Sequence, residues 1–338
     1  SHRGETGFLA PPMLRSPTRG TSPSKGRGIF PPAQRAGSGL VTAMQSTTTG
    51  RSTILIGDVH GHLDKLTSLW GELKLELGTE RFETSTVIFL GDLCDRGPET
   101  SGVFNFLSSL KDKHPRQDVK HLAGNHDFAF ATFLGLIPIT GGAVEEGDFK
   151  PRRAEYPLWE DTSSKQAHLG MHLQGRRWGA FSREGFNDGI NAFDSHATFT
   201  SYSAAPGDRE DLLKKVPVEH KKILESLEFV VEVEDAEEHG KKLVAVHAGL
   251  ETDCPFDVQM TALRQRRVDQ AWVEALQGRA NVINLPDDTP EDVIIASGHH
   301  GILEMRDRRI IIDECGGHRE NRLAAVILPE RKVVRSSS

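Results

Sequence analysis

The stretch Thr86-Val87-Ile88-Phe89-Leu90-Gly91-Asp92-Leu93-Cys94-Asp95-Arg96-Gly97 decides the fold class. Its apolar, β-branched half is too short for a helix and reads as a fully buried strand. The run then breaks into glycine and a group of charged residues, as strands do where an open α/β sheet carries its ligands. The same figure stands on either side. Ser52 to Ile56 is a short apolar run ending at Gly57-Asp58-Val59-His60-Gly61, and Val119 to Ala123 is another, ending at Gly124-Asn125-His126-Asp127. Helical patterns fill the gaps. Leu63, Leu66, Leu69, Trp70, Leu73 and Leu77 recur at spacings of three and four, and Val103, Phe106, Leu107 and Leu110 share one face across 99–111. Strand and helix alternate, the signature of βαβ units around a mostly buried sheet.

Further along, 208–227 reads as helical, and short apolar runs recur at Lys242 to Val246, Val293 to Ala296, Ile310 to Ile312 and Leu323 to Leu328. Residues 51–335 are therefore expected to form a single catalytic domain. About 135–207 is irregular, with Gly141-Gly142, Pro151, Pro157 and Gly170, and reads as a functional insertion. Residues 1–50 are rich in Gly, Pro, Ser and Thr and are expected to be disordered, because they cannot bury enough apolar surface to offset the entropy of ordering. They suit a leader ahead of Met44 or, being Arg- and Ser-rich and acid-poor, an organelle transit peptide.

The first 50 residues carry a net +5 of a chain total of −7, so the rest carries −12. An acidic body is a poor partner for nucleic acid. No apolar stretch approaches the roughly 18–20 residues of a membrane span. Cys94, Cys254 and Cys315 are few, odd in number and far apart, which argues against a disulfide framework and for a reducing compartment. Cytoplasm or nucleus is the expected location, or a plastid if 1–50 is a transit peptide.

The residues that end the strands share one chemistry. Asp58 and His60, two apart, point the same way along extended backbone. Asp92 follows the second run, Asn125 the third, His247 the fourth, and His299-His300 the fifth. Hydrolysing a phosphate ester at neutral pH needs a hydroxide nucleophile and charge to offset the phosphate oxygens. Two divalent metals about 3.5–4 Å apart supply both. Carboxylate, imidazole and amide oxygen suit Mn, Fe or Zn, and the lack of thiolate ligands disfavours a structural zinc site. Asp92 is the natural bridge between the two ions.

These motifs resemble those of the phosphoprotein phosphatases. Gly57 to Gly61, Gly91 to Gly97 and Gly124 to Asp127 look like the first three signatures, spaced by about 33 residues. His247-Ala248-Gly249-Leu250 and Gly298-His299-His300 are similar to the two later histidine motifs. The resemblance implies a four-layer αββα sandwich: two packed mixed sheets flanked by helices. It implies a first metal on Asp58, His60 and Asp92, and a second on Asp92, Asn125, His247 and His299. Arg96 would grip the phosphate together with Asn125, and His126, oriented by Asp95, would protonate the leaving oxygen. His299 is preferred to His300 as ligand because the family ligand follows a glycine. His300 is left a contact to the substrate, and Arg176 or Arg177 the role of second phosphate-binding cation. The charge run Arg264, Arg266 and Arg267 reads as a solvated helix face, and Cys94 as a small buried residue.

A closer resemblance runs through Val87 to Asp92, Cys94 to Thr100, Leu122 to Phe130, Met171 to Trp178 and Ser297 to Gly301. These stretches look like the plant Rhizobiales-like phosphatases, whose members prefer phosphotyrosine. The resemblance implies a manganese-type protein phosphatase that hydrolyses phosphomonoesters by metal-bound hydroxide. Its partner is a phosphorylated protein. It also implies insensitivity to the cyclic-peptide toxins that inhibit animal-type enzymes, because Ile310 to Gly317 lacks the tyrosine those enzymes place there. A diadenosine-tetraphosphate hydrolase would share every metal motif, and a non-catalytic phosphoprotein-binding module is the alternative of another class. Asp95-Arg96 directly after Cys94 rules out the phosphate-cradling loop of a cysteine-dependent phosphatase.

Overall fold

Strand β1 (Thr53–Ile56) and strand β2 (Thr86–Phe89) pair in parallel, with Thr53 opposite Thr86 and Ile56 opposite Phe89. The computed structural model describes residues 51–137, 178, 193–237, 240–266 and 274–337. These belong to one compact unit, Thr49–Ser338. Helix α1 (Leu63–Glu83) returns the chain from β1 to β2, and α2 (Thr100–Lys113) from β2 to β3 (Asp118–His121). Helix α3 (Asn125–Leu134) follows. Strands β9 (Ala324–Leu328) and β10 (Lys332–Arg335) complete the sheet on the other side of β1, giving the order β10-β9-β1-β2-β3.

The second sheet holds β4 (Val231–Glu237), β5 (Lys241–Ala245), β6 (Val293–Ser297), β7 (Leu303–Met305) and β8 (Arg309–Ile312), in the order β4-β5-β6-β8-β7. Each sheet mixes parallel and antiparallel pairs. The alternation of side chains along the strands builds two cores. Leu55, Ile88, Leu90, Leu243, Ala245, Ile294, Ala296 and Val326 pack together between the sheets. Their neighbours Ile54, Ile56, Val87, Phe89, Val244, Ile295 and Ile327 face outward, into a core that includes Leu66, Leu69, Val103, Leu107 and Met260 from the helices. This double-sided burial explains why the strands read as continuous apolar runs. Two mixed sheets flanked by helices are the architecture expected from the sequence.

Several boundaries differ from those expected. The 208–227 segment is helical as expected, in two helices, α5 (Arg209–Lys215) and α6 (Val218–Ser226), because Pro217 cannot continue a helix and biases Val216 to extended backbone. Strand β3 is only half-buried, since it ends its sheet. The described end of the insertion, 193–207, contains α4 (His196–Ser201), which docks on α2 where Ser101 N donates to Ser201 Oγ at 2.8 Å. After β5 come α7 (Phe256–Arg264) and the one-turn α8 (Glu274–Gln277). The arginines at the end of α7 are not simply solvated. Arg264 forks onto the Glu232 carboxylate at 2.8 and 2.7 Å, while Arg266 donates to Glu225 O and lies over the Phe229 ring. Arg267 lies outside the described residues. No described helix is long and apolar enough to cross a membrane.

Candidate metal centre

The turns after the strands are stitched together by backbone. Val59 N and His60 N both donate to Asp92 O, at 3.0 and 2.8 Å, and Gly97 N donates to His60 O at 2.9 Å. Gly298 N donates to His247 O at 2.9 Å. Glycine allows the close approach. Gly91 has φ +103°, and a Cβ there would lie 2.5 Å from Gly124 N and 2.7 Å from His247 Nδ1. His60, Asp92, Asp95, Arg96 and His299 all take positive φ without being glycine. Such strain gathers at functional sites.

Asp58, His60, Asp92, His247 and His299 are brought together at the ends of β1, β2, β5 and β6, and Asn125 opens α3 beside His126, whose N donates to Asp92 Oδ1. Asp92 stands in the middle. Its Oδ2 lies 3.5 Å from His60 Nε2, and its Oδ1 3.4 Å from His247 Nε2. Donor atoms fall into two groups that share this carboxylate: His60, Asp92 and His126, and Asp92, His247 and His299. Asp58 Oδ2 is 4.0 Å from His60 Nε2, and the Asp58 carboxylate accepts from His299 N at 3.1 Å.

Backbone carbonyls fix the ring tautomers. His60 Nδ1 donates to Cys94 O at 3.0 Å, His247 Nδ1 to Leu90 O at 2.7 Å, and His299 Nε2 to Gln277 O at 3.2 Å. A carbonyl only accepts, so the lone pairs sit on Nε2 of His60 and His247 and on Nδ1 of His299. His247 Nε2 and Asn125 Oδ1 are buried with no hydrogen-bond partner among the described residues. Buried acceptors are rarely left so, and these two fit ligands of a divalent ion. The donor set of carboxylate, imidazole and amide oxygen fits Mn, Fe or Zn.

Burial raises the Asp58 pKa well above the usual range, helped by Asp313 and Asp92. Burial pushes the same way on Asp92, but the His247, His126 and His60 rings outweigh it and hold that carboxyl well below the usual range. Burial drives His60 well below its ordinary value and His299 to about 2, so both rings are neutral, the form that ligates metal.

Beside this cluster lies a second constellation. His126 Nδ1 donates to Asp95 Oδ2 at 2.8 Å. Arg96 Nη2 donates to His126 Nε2 at 3.2 Å, and Arg96 Nη1 to His60 Nε2 at 2.8 Å. Asp95 is wholly buried, and its carboxylate is saturated by Trp178 Nε1 on Oδ2 and Thr198 Oγ1 on Oδ1, both at 2.6 Å.

Trp178 and Thr198 were not singled out in the sequence. Trp178 closes the Met171–Trp178 stretch, so a family signal touched it, but Thr198 carries no local signal. Asp127, the last residue of the third motif, ties the motifs together. It accepts from Leu93 N at 2.8 Å, Cys94 N at 3.2 Å and Gly124 N at 3.1 Å, pinning the second and third motifs together. Cys94 is fully buried. His300 Nε2 donates to Ala248 O at 2.7 Å. Arg176 and Arg177 lie outside the described residues.

The symmetrical bis(5'-nucleosyl)-tetraphosphatase of Klebsiella pneumoniae is 37% identical over 86 residues, 25% of this chain and 27% of that protein. The asymmetrical bis(5'-nucleosyl)-tetraphosphatase of Bacillus velezensis is 36% identical over 88 residues, 25% of this chain and 34% of that one. The chain thus spans about a quarter to a third of the length of these curated relatives. Among solved structures, a cold-active protein-tyrosine phosphatase from a psychrophilic Shewanella aligns with a TM-score of 0.46 at 15% identity, over 84% of this chain and 77% of that one. The calcineurin-like phosphoesterase family matches residues 52–334, so the chain belongs to that family of metal-dependent phosphoric ester hydrolases.

Proposed function

We propose that the protein is a phosphomonoesterase acting on phosphorylated protein, with a preference for phosphotyrosine. The observation that carries the hydrolytic part is the Asp95–His126–Arg96 constellation set against the Asp92 cluster. Asp58, His60 and Asp92 would hold one divalent ion, and Asp92, Asn125, His247 and His299 a second. Such ions supply positive charge to the phosphate oxygens and activate the attacking water. The protein's own groups do the rest. Arg96 offers a planar guanidinium, suited to a pair of phosphate oxygens. Once protonated on both nitrogens, His126 would give a proton from Nε2 to the leaving oxygen, while Asp95 holds the ring's orientation and offsets the charge of that form. Trp178 and Thr198 hold Asp95 in turn.

The aryl preference is supported by Phe193, whose ring packs edge-on against His126 at 4.9 Å between centroids. An aromatic ring against the acid suits a flat leaving group. The Gly316-Gly317 turn beside Arg96 adds no side chain. The tetraphosphatase relatives favour a second reading, hydrolysis of a dinucleoside tetraphosphate. One panel separates them: kcat/KM on matched phosphotyrosine, phosphoserine and phosphothreonine peptides and on diadenosine tetraphosphate. A phosphotyrosine advantage of at least about tenfold, or 1.4 kcal/mol, is expected. A smaller advantage removes the aryl-site argument, and a dinucleotide faster than every peptide assigns the second reading.

A further inference from the structure

The loop after β8 borders the candidate centre, and one carboxylate organises it. Asp313 is 3% exposed. Its Oδ2 accepts from Gly301 N at 2.6 Å and its Oδ1 from Gly316 N at 2.9 Å. The first donor closes the turn that carries His299. The second opens the turn Gly316-Gly317, where both residues lie in the left-handed region, at φ +52° and +71°. Gly316 O in turn accepts from Arg96 Nη1 at 2.9 Å. A Cβ on Gly317 would lie 2.5 Å from Arg96 Cδ and 2.9 Å from His60 Cδ2, so this turn is the surface against which the arginine stem rests.

The other acceptors of the Arg96 guanidinium are His60 Nε2 and His126 Nε2. Each is a lone pair that the proposed reaction uses otherwise, one for a cation and one for a proton. Gly316 O has no such second use. Asp313 forms no ion pair among the described residues, and its two oxygens are spent on two backbone N–H groups. Asparagine could not replace it in that task, because its amide nitrogen would face a donor.

We infer that Asp313 is a positioning residue for the reaction: it locks the 313–317 turn in the shape that aims Arg96 at the phosphate. The inference rests on Arg96 being the phosphate-binding group. Tungstate, a tetrahedral oxyanion, reports that grip without turnover. Its Kd is measured calorimetrically on Mn²⁺-loaded wild type, R96A, D313N and the double variant. A residue acting through Arg96 is non-additive with it. R96A should weaken binding. D313N, which strands one buried donor, should raise Kd about tenfold in the wild-type background and by less than about twofold with Arg96 removed. Equal losses from D313N in both backgrounds mean a purely structural role and overturn the inference. So does an unchanged Kd in D313N when R96A is impaired. An unchanged Kd in R96A overturns the reading of Arg96 itself, and the inference with it. Should D313N fail to fold, D313E keeps the charge but lengthens the arm, and the same non-additivity is required of it.

Discussion

Asp92→Asn is expected to fold and to lose about 10³-fold or more in kcat, roughly 4 kcal/mol of transition-state stabilisation. The fold should survive because the amide oxygen can still accept from His126 N, which donates to Asp92 Oδ1 at 3.0 Å. The change falls on charge. Asp92 faces His60 with one oxygen and His247 with the other. An amide offers one neutral oxygen in place of two anionic ones, so with Asp92 as the bridge one ion would be lost and the other held weakly. Turnover of a nitrophenyl phosphate, together with the thermal midpoint, checks this. Retention of more than about a tenth of wild-type kcat would contradict the bridging role, because the loss would then be under about 1.4 kcal/mol.

His126→Ala should separate substrates by their leaving group. A general acid contributes roughly 10²- to 10⁴-fold where the departing oxygen needs a proton. An alkyl phosphate should therefore lose that much, and a nitrophenyl phosphate, whose leaving oxygen departs as a stable anion, far less. The geometry gives this experiment a second use. His126 Nε2 lies 4.0 Å from Asp92 Oδ2 and within the same donor group as His60. Its Nδ1, however, donates to a carboxylate held by Trp178 and Thr198, the arrangement of an oriented acid. Equal losses on both substrates would place His126 among the ligands instead.

What could be read in the sequence follows from distance along the chain. Strands β1, β2, β5 and β6 were legible because burial on both faces leaves continuous apolar runs, and the turns after them carry dense polar signatures. Strand β4 was not read. Its sequence, Val231-Glu232-Val233-Glu234-Asp235-Ala236-Glu237, is mostly acidic, and its pairing with β5 is broken by a register shift between Val233 and Glu237. Helix α1 runs past its apolar pattern because Gly78, at φ +70° and ψ 160°, kinks it, and the second segment buries little beyond Phe82. The residues that meet at the strand ends were legible one by one. The groups that orient them were not. Thr198 reaches Asp95 across 103 residues and Trp178 across 83, contacts that leave no periodicity or spacing to read. Asp313 was visible only as part of a stretch without tyrosine. Its use, two backbone donors from two different turns, exists only once β6 and β8 are paired.

Anomalous diffraction from crystals grown with Mn²⁺ tests the central claim most directly. The expected result is two peaks about 3.5–4 Å apart astride Asp92, one bonded by Asp58 and His60 and the other by Asn125, His247 and His299. A single peak, or ions bound away from Asp92, would contradict it.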